Sequence, residues 1–155
     1  MRHVKSVCSA IGLAIFALEF AGTPAFAGIP RSPIPLHAGT LSPVGDEPNA
    51  AGSWGVAAYY AGHQSSPPLN PPYYVVAQVA CSRLAAGAAY QVAFVRSNGS
   101  LAAHASFVAD KTGNGTAGVM LGGYYPGQLY TLPFHAVDVY RVNGKTKVLV
   151  LEWTQ

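Results

Sequence analysis

The residues of this chain whose types suit catalysis or metal binding are few and widely spaced. Four histidines follow residue 27, and none belongs to a His-x-His, His-Glu-x-x-His or Cys-His pattern: His37, His63, His104 and His135. A zinc site needs three or four converging ligands, and the sequence offers no local pair to begin one. We therefore predict neither a metal site nor a cofactor.

Carboxylates, which glycosidases use in pairs, are equally scarce. Asp46 and Glu47 lie in a Pro-rich segment, whereas Asp110 is in a predicted turn and Asp138 in a predicted strand. A glycosidase needs two carboxylates facing each other across a cleft, and only Asp110 with Asp138 is a conceivable pair. The chain also lacks a Gly-x-Ser-x-Gly elbow, because residues 52–55 have the wrong spacing. We predict no catalytic residues.

Cys81 is the only cysteine after residue 27, since Cys8 lies in the N-terminal segment. A disulfide within the exported chain is therefore excluded. No base that would activate the thiol is evident. The position of Cys81 at the end of an apolar run favours burial as a small hydrophobic residue over a link between molecules, and both alternatives stay open.

Tyrosine is the unusual residue type, with nine copies and three adjacent pairs. In a strand, neighbouring side chains point to opposite faces, so each pair places one ring toward solvent. Exposed tyrosines suit carbohydrate or protein surfaces, although strand propensity alone also explains them. The six candidate binding residues are Tyr59, Tyr60, Tyr73, Tyr74, Tyr124 and Tyr125.

The last predicted strand is apolar on both faces, unlike a strand with one side in water. Its candidate contact residues are Leu149, Leu151 and Trp153. Either the Pro-rich segment or another copy of the protein covers the outer face, or the strand is an exposed edge that is prone to association.

The N-terminus predicts export. A basic head containing Arg2 and Lys5 precedes an apolar run that ends in Ala25-Phe26-Ala27. This is typical of a signal peptide, residues 1–27, cut before Gly28, so no membrane span remains and the protein is periplasmic or secreted. Residues 28–51 are rich in proline and predict an extended spacer outside any sheet. Residues 52–155 form the predicted domain.

The charge is too small to indicate a polyanionic partner. Removal of Arg2, Lys5 and Glu19 with the signal peptide leaves a net charge of +2. This value excludes nucleic acid or an anionic membrane as the expected partner. The charged fraction is 10%, against about 25% in ordinary soluble domains. A surface with so few charges can pack closely against a neighbouring molecule.

Seven strands are predicted from alternating apolar residues and Asn-Gly turns. They are residues 53–61, 73–81, 90–96, 101–109, 116–121, 134–142 and 146–153. Strands of this length and spacing, without helical periodicity, predict an all-β fold: an antiparallel, two-sheet sandwich of about seven strands. The expected inward residues are Tyr90, Val92, Phe94, Ala103, Ala105, Phe107, Val119, Leu121, Val137 and Val139.

The spacing of Leu84, Gly87, Tyr90 and Val92 resembles the tyrosine corner of immunoglobulin-like and fibronectin type III sandwiches. In that feature, a tyrosine hydroxyl bonds back to backbone a few residues upstream. Together with Val79-Ala80, Phe107–Asp110 and Gly115, the pattern is similar to secreted bacterial domains of the neocarzinostatin-apoprotein type. The disulfide cysteines of that family are absent here.

These observations give three functional hypotheses. The first is a secreted, non-enzymatic binding or surface-assembly module that contacts a protein or carbohydrate surface, or another copy of itself. The second, which the resemblance implies, is a small-molecule carrier with an apolar cleft. The third is a hydrolase that depends on Asp110 or Asp138.

Overall fold

Short turns and alternating side chains fold this chain into antiparallel strands. The computed structural model describes residues 33–60, 73–124, 126–129 and 131–155. Its strands are β1 (Ile34–Pro43), β2 (Ala51–Tyr60), β3 (Tyr73–Ser82), β4 (Ala89–Val95), β5 (Leu101–Val108), β6 (Gly115–Tyr124), β7 (Ala136–Asn143) and β8 (Thr146–Thr154). A short 3₁₀ turn, Pro126–Gln128, lies between β6 and β7. The described residues include no helix long and apolar enough to cross a membrane.

The eight strands form one sheet in the order β5-β4-β7-β8-β1-β2-β3-β6. Two four-stranded halves, β6-β3-β2-β1 and β5-β4-β7-β8, are joined by a short ladder between β1 and β8. The two end strands, β5 and β6, are neighbours along the chain and lie side by side. The sheet is therefore nearly closed, like a barrel.

The all-β prediction is confirmed, and each of the seven predicted strands has a counterpart within three residues at either end. The sandwich of seven strands in two sheets is not confirmed. The physical reason is β1, which lies in the Pro-rich segment expected to stay outside the sheet. Pro35 sits beside a register shift and Pro43 ends the strand. Proline lacks the N–H that a ladder needs, so it is tolerated at bulges and strand ends, where no donor is required.

The interior is lined by every second residue of each strand. Tyr90, Val92, Phe94, Val137 and Val139 are fully buried, as predicted. The predicted inner residues of β5 and β6 are only partly buried, because these strands are the two ends of the sheet. Phe107 crosses from β5 to β6, and a Cβ on Gly115 would lie 2.2 Å from its ring. The absence of a side chain at Gly115 lets the two ends approach each other.

The barrel has two chemically different ends. At one end, where β2, β4 and β6 finish, lie the aromatic residues Trp54, Phe94, Phe134 and Trp153. At the other, the β1–β2 connection places the carboxylate of Glu47 against Tyr90 and Arg141. We call these the aromatic end and the polar end.

Candidate functional site

Five of the six candidate tyrosines come together at the aromatic end. Tyr59 lies opposite Tyr74, while Tyr60 lies opposite Tyr73, which in turn lies opposite Tyr124. The rings of Tyr60 and Tyr73 meet edge to face, with centroids 5.3 Å apart. Tyr73 and Tyr124 pack against the core, whereas Tyr74 is 39% exposed. Tyr125 lies outside the described residues.

Tyr59 and Tyr74 belong to a larger outer surface without charge. The four strands β1, β2, β3 and β6 contain no Asp, Glu, Lys or Arg in forty residues. Their outward side chains form cross-strand rows of small or uncharged residues: Tyr59 and Tyr74 with Gly123; Ala57 and Val76 with Met120; Ala38, Gly55 and Gln78 with Gly118; and Thr40, Ser53 and Ala80 with Thr116. We call this surface the uncharged face. Met120, at 52% exposure, is its most prominent apolar side chain.

The outer face of the other half is charged and polar. Asp138 on β7 lies opposite Glu152 on β8. Burial raises the pKa of Asp138, although its carboxylate accepts a hydrogen bond from the Tyr140 hydroxyl at 3.0 Å. Burial and the bond to Asp138 raise the pKa of Tyr140 to about 12. Lys147 Nζ donates to Gln91 Oε1 at 2.5 Å. Charge is thus confined to one half of the sheet.

The prediction of a contact surface on the last strand needs correction. Leu151 is completely buried and Trp153 packs against the core, because β8 lies between β7 and β1 instead of at an edge. The continuous apolar run is explained by a bulge that leaves Val150 and Leu151 both buried. Leu149 is half-buried. The Pro-rich segment covers this strand, with Val44 N–H donating to Val150 O at 2.8 Å.

Both tryptophans of the chain lie in the aromatic cluster. Trp54 is 1% exposed, and its ring lies 4.4 Å from Trp153 and 5.5 Å from Phe134, measured between centroids. A Cβ on Gly39 would lie 2.6 Å from Trp54 Nε1, so the indole edge packs directly under the β1 backbone. Trp54 Nε1 has no hydrogen-bond partner among the described residues.

A cleft of about 360 Å³ opens beside this cluster. Its lining residues are His37, Ala38, Trp54, Thr131, Leu132, Trp153 and Gln155. The β1–β8 ladder consists of two residue pairs, Ser42 with Glu152 and Pro43 with Leu151. Beyond these pairs the two strands separate, so His37 on β1 and Gln155 after β8 lie on opposite sides of a gap. The cleft fills the space that this separation leaves. We call it the tryptophan cleft.

A carboxylate with three donors closes the polar end. Glu47, 9% exposed, accepts hydrogen bonds from the Tyr90 hydroxyl at 2.9 Å and from Arg141 Nη1 at 2.9 Å, with the Ala85 N–H at 3.4 Å. The Ala85 N–H also donates to the Tyr90 hydroxyl at 2.9 Å. Burial, followed by the bond to Glu47, raises the pKa of Tyr90 to about 12. This geometry fixes the β1–β2 connection to the barrel and resembles a structural anchor more than a reactive centre.

The contacts of Asp110 and Cys81 suit a structural role for each residue. Asp110 Oδ1 accepts bonds from the Asn114 N–H, the Thr112 hydroxyl and the Thr112 N–H, which lower its pKa. Asp110 follows β5, whereas Asp138 lies level with His104, so roughly 20 Å of strand separates the proposed pair.

Cys81 is free and buried, and burial raises its pKa to about 12. A thiol with so high a pKa is a poor nucleophile at neutral pH.

No metal-binding group of three or more His, Cys, Asp or Glu side chains occurs in the described part of the chain. His37 lines the tryptophan cleft, His104 is exposed on β5, and His135 lies next to β7. His63 lies outside the described residues.

Sequence reasoning missed Glu47 and Trp54 as residues of interest. The sequence places Glu47 in the predicted Pro-rich spacer, and a carboxylate in such a segment gives no local sign of burial. Trp54 offered a weak sign: a large aromatic residue between Gly52 and Gly55 marks a strand whose backbone is closely approached by neighbours.

Comparisons with known proteins give no relative from which to infer a function. No family model, no curated protein and no solved structure matches the chain significantly. The function therefore has to be argued from the surfaces described above.

Proposed function

We propose that this chain is an exported, non-enzymatic binding module that assembles through its uncharged face. The observation that supports this most directly is the uncharged face itself, on which Tyr59, Tyr74 and Met120 are the large side chains. Protein interfaces are enriched in tyrosine and methionine at their centre and depleted of charge. A broad sheet face suits a macromolecular surface better than a small ligand.

The partner that we propose first for this face is a second copy of the chain. Two such faces can approach without desolvating any charged group, whose burial would cost free energy. Four strands of ten residues present roughly 500–600 Å² in projection, from the usual strand spacing and rise. Standard interfaces bury about 800 Å² per partner, so we expect association of modest affinity.

The experiment is size-exclusion chromatography with light scattering over a hundredfold range of protein concentration. We expect the mean mass to rise with concentration for the unmodified protein. Met120→Lys places a charge on the face, at its most exposed large apolar side chain, and should restore the monomer. Ser106→Lys is the matched control, because Ser106 is an exposed outward residue of β5 in the other half of the sheet.

A monomer at every concentration would overturn self-assembly. Equal behaviour of Met120→Lys and Ser106→Lys in an associating protein would overturn the assignment of this face. A carbohydrate or protein surface would then be the remaining partner classes for Tyr59 and Tyr74.

We also propose that the resemblance to immunoglobulin-like domains extends to the tyrosine corner. The bond from the Ala85 N–H to the Tyr90 hydroxyl supports this, since a tyrosine corner makes such a contact with backbone upstream. The additional carboxylate of Glu47 on the same hydroxyl is a feature of this chain. Membership of that family stays a prediction.

A further inference from the structure

The tryptophan cleft adjoins the uncharged face, with which it shares Ala38, and its other lining residues lie outside that face. It lies where β1 and β8 separate, and its volume of about 360 Å³ is at the lower end of the range of about 300–1,000 Å³ for small-molecule sites. Such a volume suits one ring-sized ligand better than an extended chain. Small-ligand sites are typically concave, with apolar walls and a few polar groups that fix orientation.

The lining of the cleft indicates a ligand without charge. None of its seven residues is Asp, Glu, Lys or Arg. The side chains of Thr131 and Gln155 are exposed at the rim and supply both donors and acceptors. Trp153, half-buried, offers an indole surface. A partly exposed aromatic ring beside rim hydroxyl and amide groups matches a ligand with an apolar face and a polar edge.

The indole of Trp54 provides a second, independent observation. Buried donors are nearly always hydrogen-bonded, yet Trp54 Nε1 lacks a partner among the residues that the structure describes. It faces the β1 backbone at Gly39, next to the cleft wall formed by Ala38. At this level β1 is paired with β2 but not with β8, and Trp54 is itself one of the lining residues of the cleft.

We propose that the tryptophan cleft binds a neutral sugar ring. The apolar face of the ring stacks on Trp153, and its hydroxyl groups exchange hydrogen bonds with Thr131 and Gln155. Trp54, whose buried indole donor has no partner among the described residues, forms part of the wall of this site. Aromatic rings with a polar tip or edge are suited to ligands that are apolar on one side and hydrated on the other.

The test uses intrinsic fluorescence, because the only two tryptophans of the chain, Trp54 and Trp153, both line this cleft. The purified protein is titrated with glucose, galactose, mannose and N-acetylglucosamine in the millimolar range, and calorimetry is run in parallel. We expect a saturable change in tryptophan emission with at least one sugar. Thr131→Ala and Gln155→Ala, both at exposed positions, should each weaken that binding about fivefold by removing one hydrogen bond.

Two variants complete the design. Trp153→Leu should abolish binding in calorimetry, and its thermal unfolding shows whether the fold is retained. Ser106→Lys, on β5 and outside both the cleft and the uncharged face, should bind sugar as the unmodified protein does. Because this readout does not involve association, failure of the sugar site and failure of self-assembly are distinguishable.

Three results would overturn the proposal. The first is the absence of saturable binding for every sugar tested. The second is binding that neither Thr131→Ala nor Gln155→Ala weakens. The third is saturable binding of indole, as an uncharged aromatic probe, without binding of any sugar, which would give the cleft a different ligand class.

Discussion

Replacement of Glu47 by alanine tests whether the polar end holds the barrel together. The change removes the acceptor of the Tyr90 hydroxyl and the carboxylate closest to Arg141, whose side chain is 22% exposed. Breaking a buried ion pair from one side costs about 3–5 kcal/mol, since the remaining charge stays without a partner. Here Asp46 remains 3.6 Å from Arg141 Nη2 and the arginine is partly solvated. We therefore expect the lower value, about 3 kcal/mol.

Asp46 provides a matched control for Glu47. It is the adjacent residue and contacts the same arginine, but its side chain is 69% exposed. Exposed ion pairs contribute about 0–1 kcal/mol, so Asp46→Ala should lower the free energy of unfolding by about 0.5 kcal/mol or less. Glu47→Gln keeps an acceptor for Tyr90 and loses the charge, and its effect should fall between the two alanine variants.

The assay is urea unfolding followed by tryptophan emission, with thermal unfolding in parallel. For a domain of this size, a loss of about 3 kcal/mol lowers Tm by roughly 10 °C. Equal and small effects of Glu47→Ala and Asp46→Ala would refute the reasoning, because the buried position of Glu47 would then contribute nothing. A double-mutant cycle with Arg141→Met separates the ion pair from the hydrogen bond to Tyr90.

Two further substitutions test local packing and local electrostatics. Gly39→Ala places a Cβ 2.6 Å from Trp54 Nε1, so we expect overpacking to cost about 1–3 kcal/mol and to change tryptophan emission. Gly55→Ala is its control on the neighbouring strand, with no atom nearer than 3.8 Å, and equal effects of the two would contradict the packing account. Asp110→Asn tests the turn after β5: hydrogen bonds lower the pKa of Asp110, so its contribution is present above the pKa of about 3.9 in unfolded chains and disappears as the pH falls through the folded value. The Tm difference between Asp110→Asn and the unmodified protein should therefore be largest near neutral pH and vanish in acid, whereas a difference independent of pH would disprove this role.

The sequence predicts the strands well because their signals are local. Asn98-Gly99 and Asn143-Gly144 connect consecutive strands, and both glycines have positive φ. Tyr90, Val92 and Phe94 alternate with outward residues, and this period of two requires no knowledge of the rest of the fold. The positions of the predicted strands, which depend on these local patterns, are therefore confirmed by the structure.

The role of β1 was not predictable in the same way. Its prolines argue against a strand when they are judged one at a time, and only the positions of the bulge and the strand end make them compatible with a ladder. For the same reason the burial of Glu47 was not predicted, because a residue assigned to a spacer is not expected to be buried. The association of five tyrosines on three strands also depends on register, which local composition does not give.

The distribution of charge is a stronger argument for an interface than its low total. A chain with 10% charged residues has few to place, and it places Asp138, Arg141, Lys147 and Glu152 on the seventeen residues of β7 and β8. The forty residues of β1, β2, β3 and β6 receive none. A low fraction of charged residues would, by itself, leave the charges spread over both halves of the sheet. Since charged side chains are the usual protection of a sheet against association, their absence from one half alone favours a face that is covered when the protein functions.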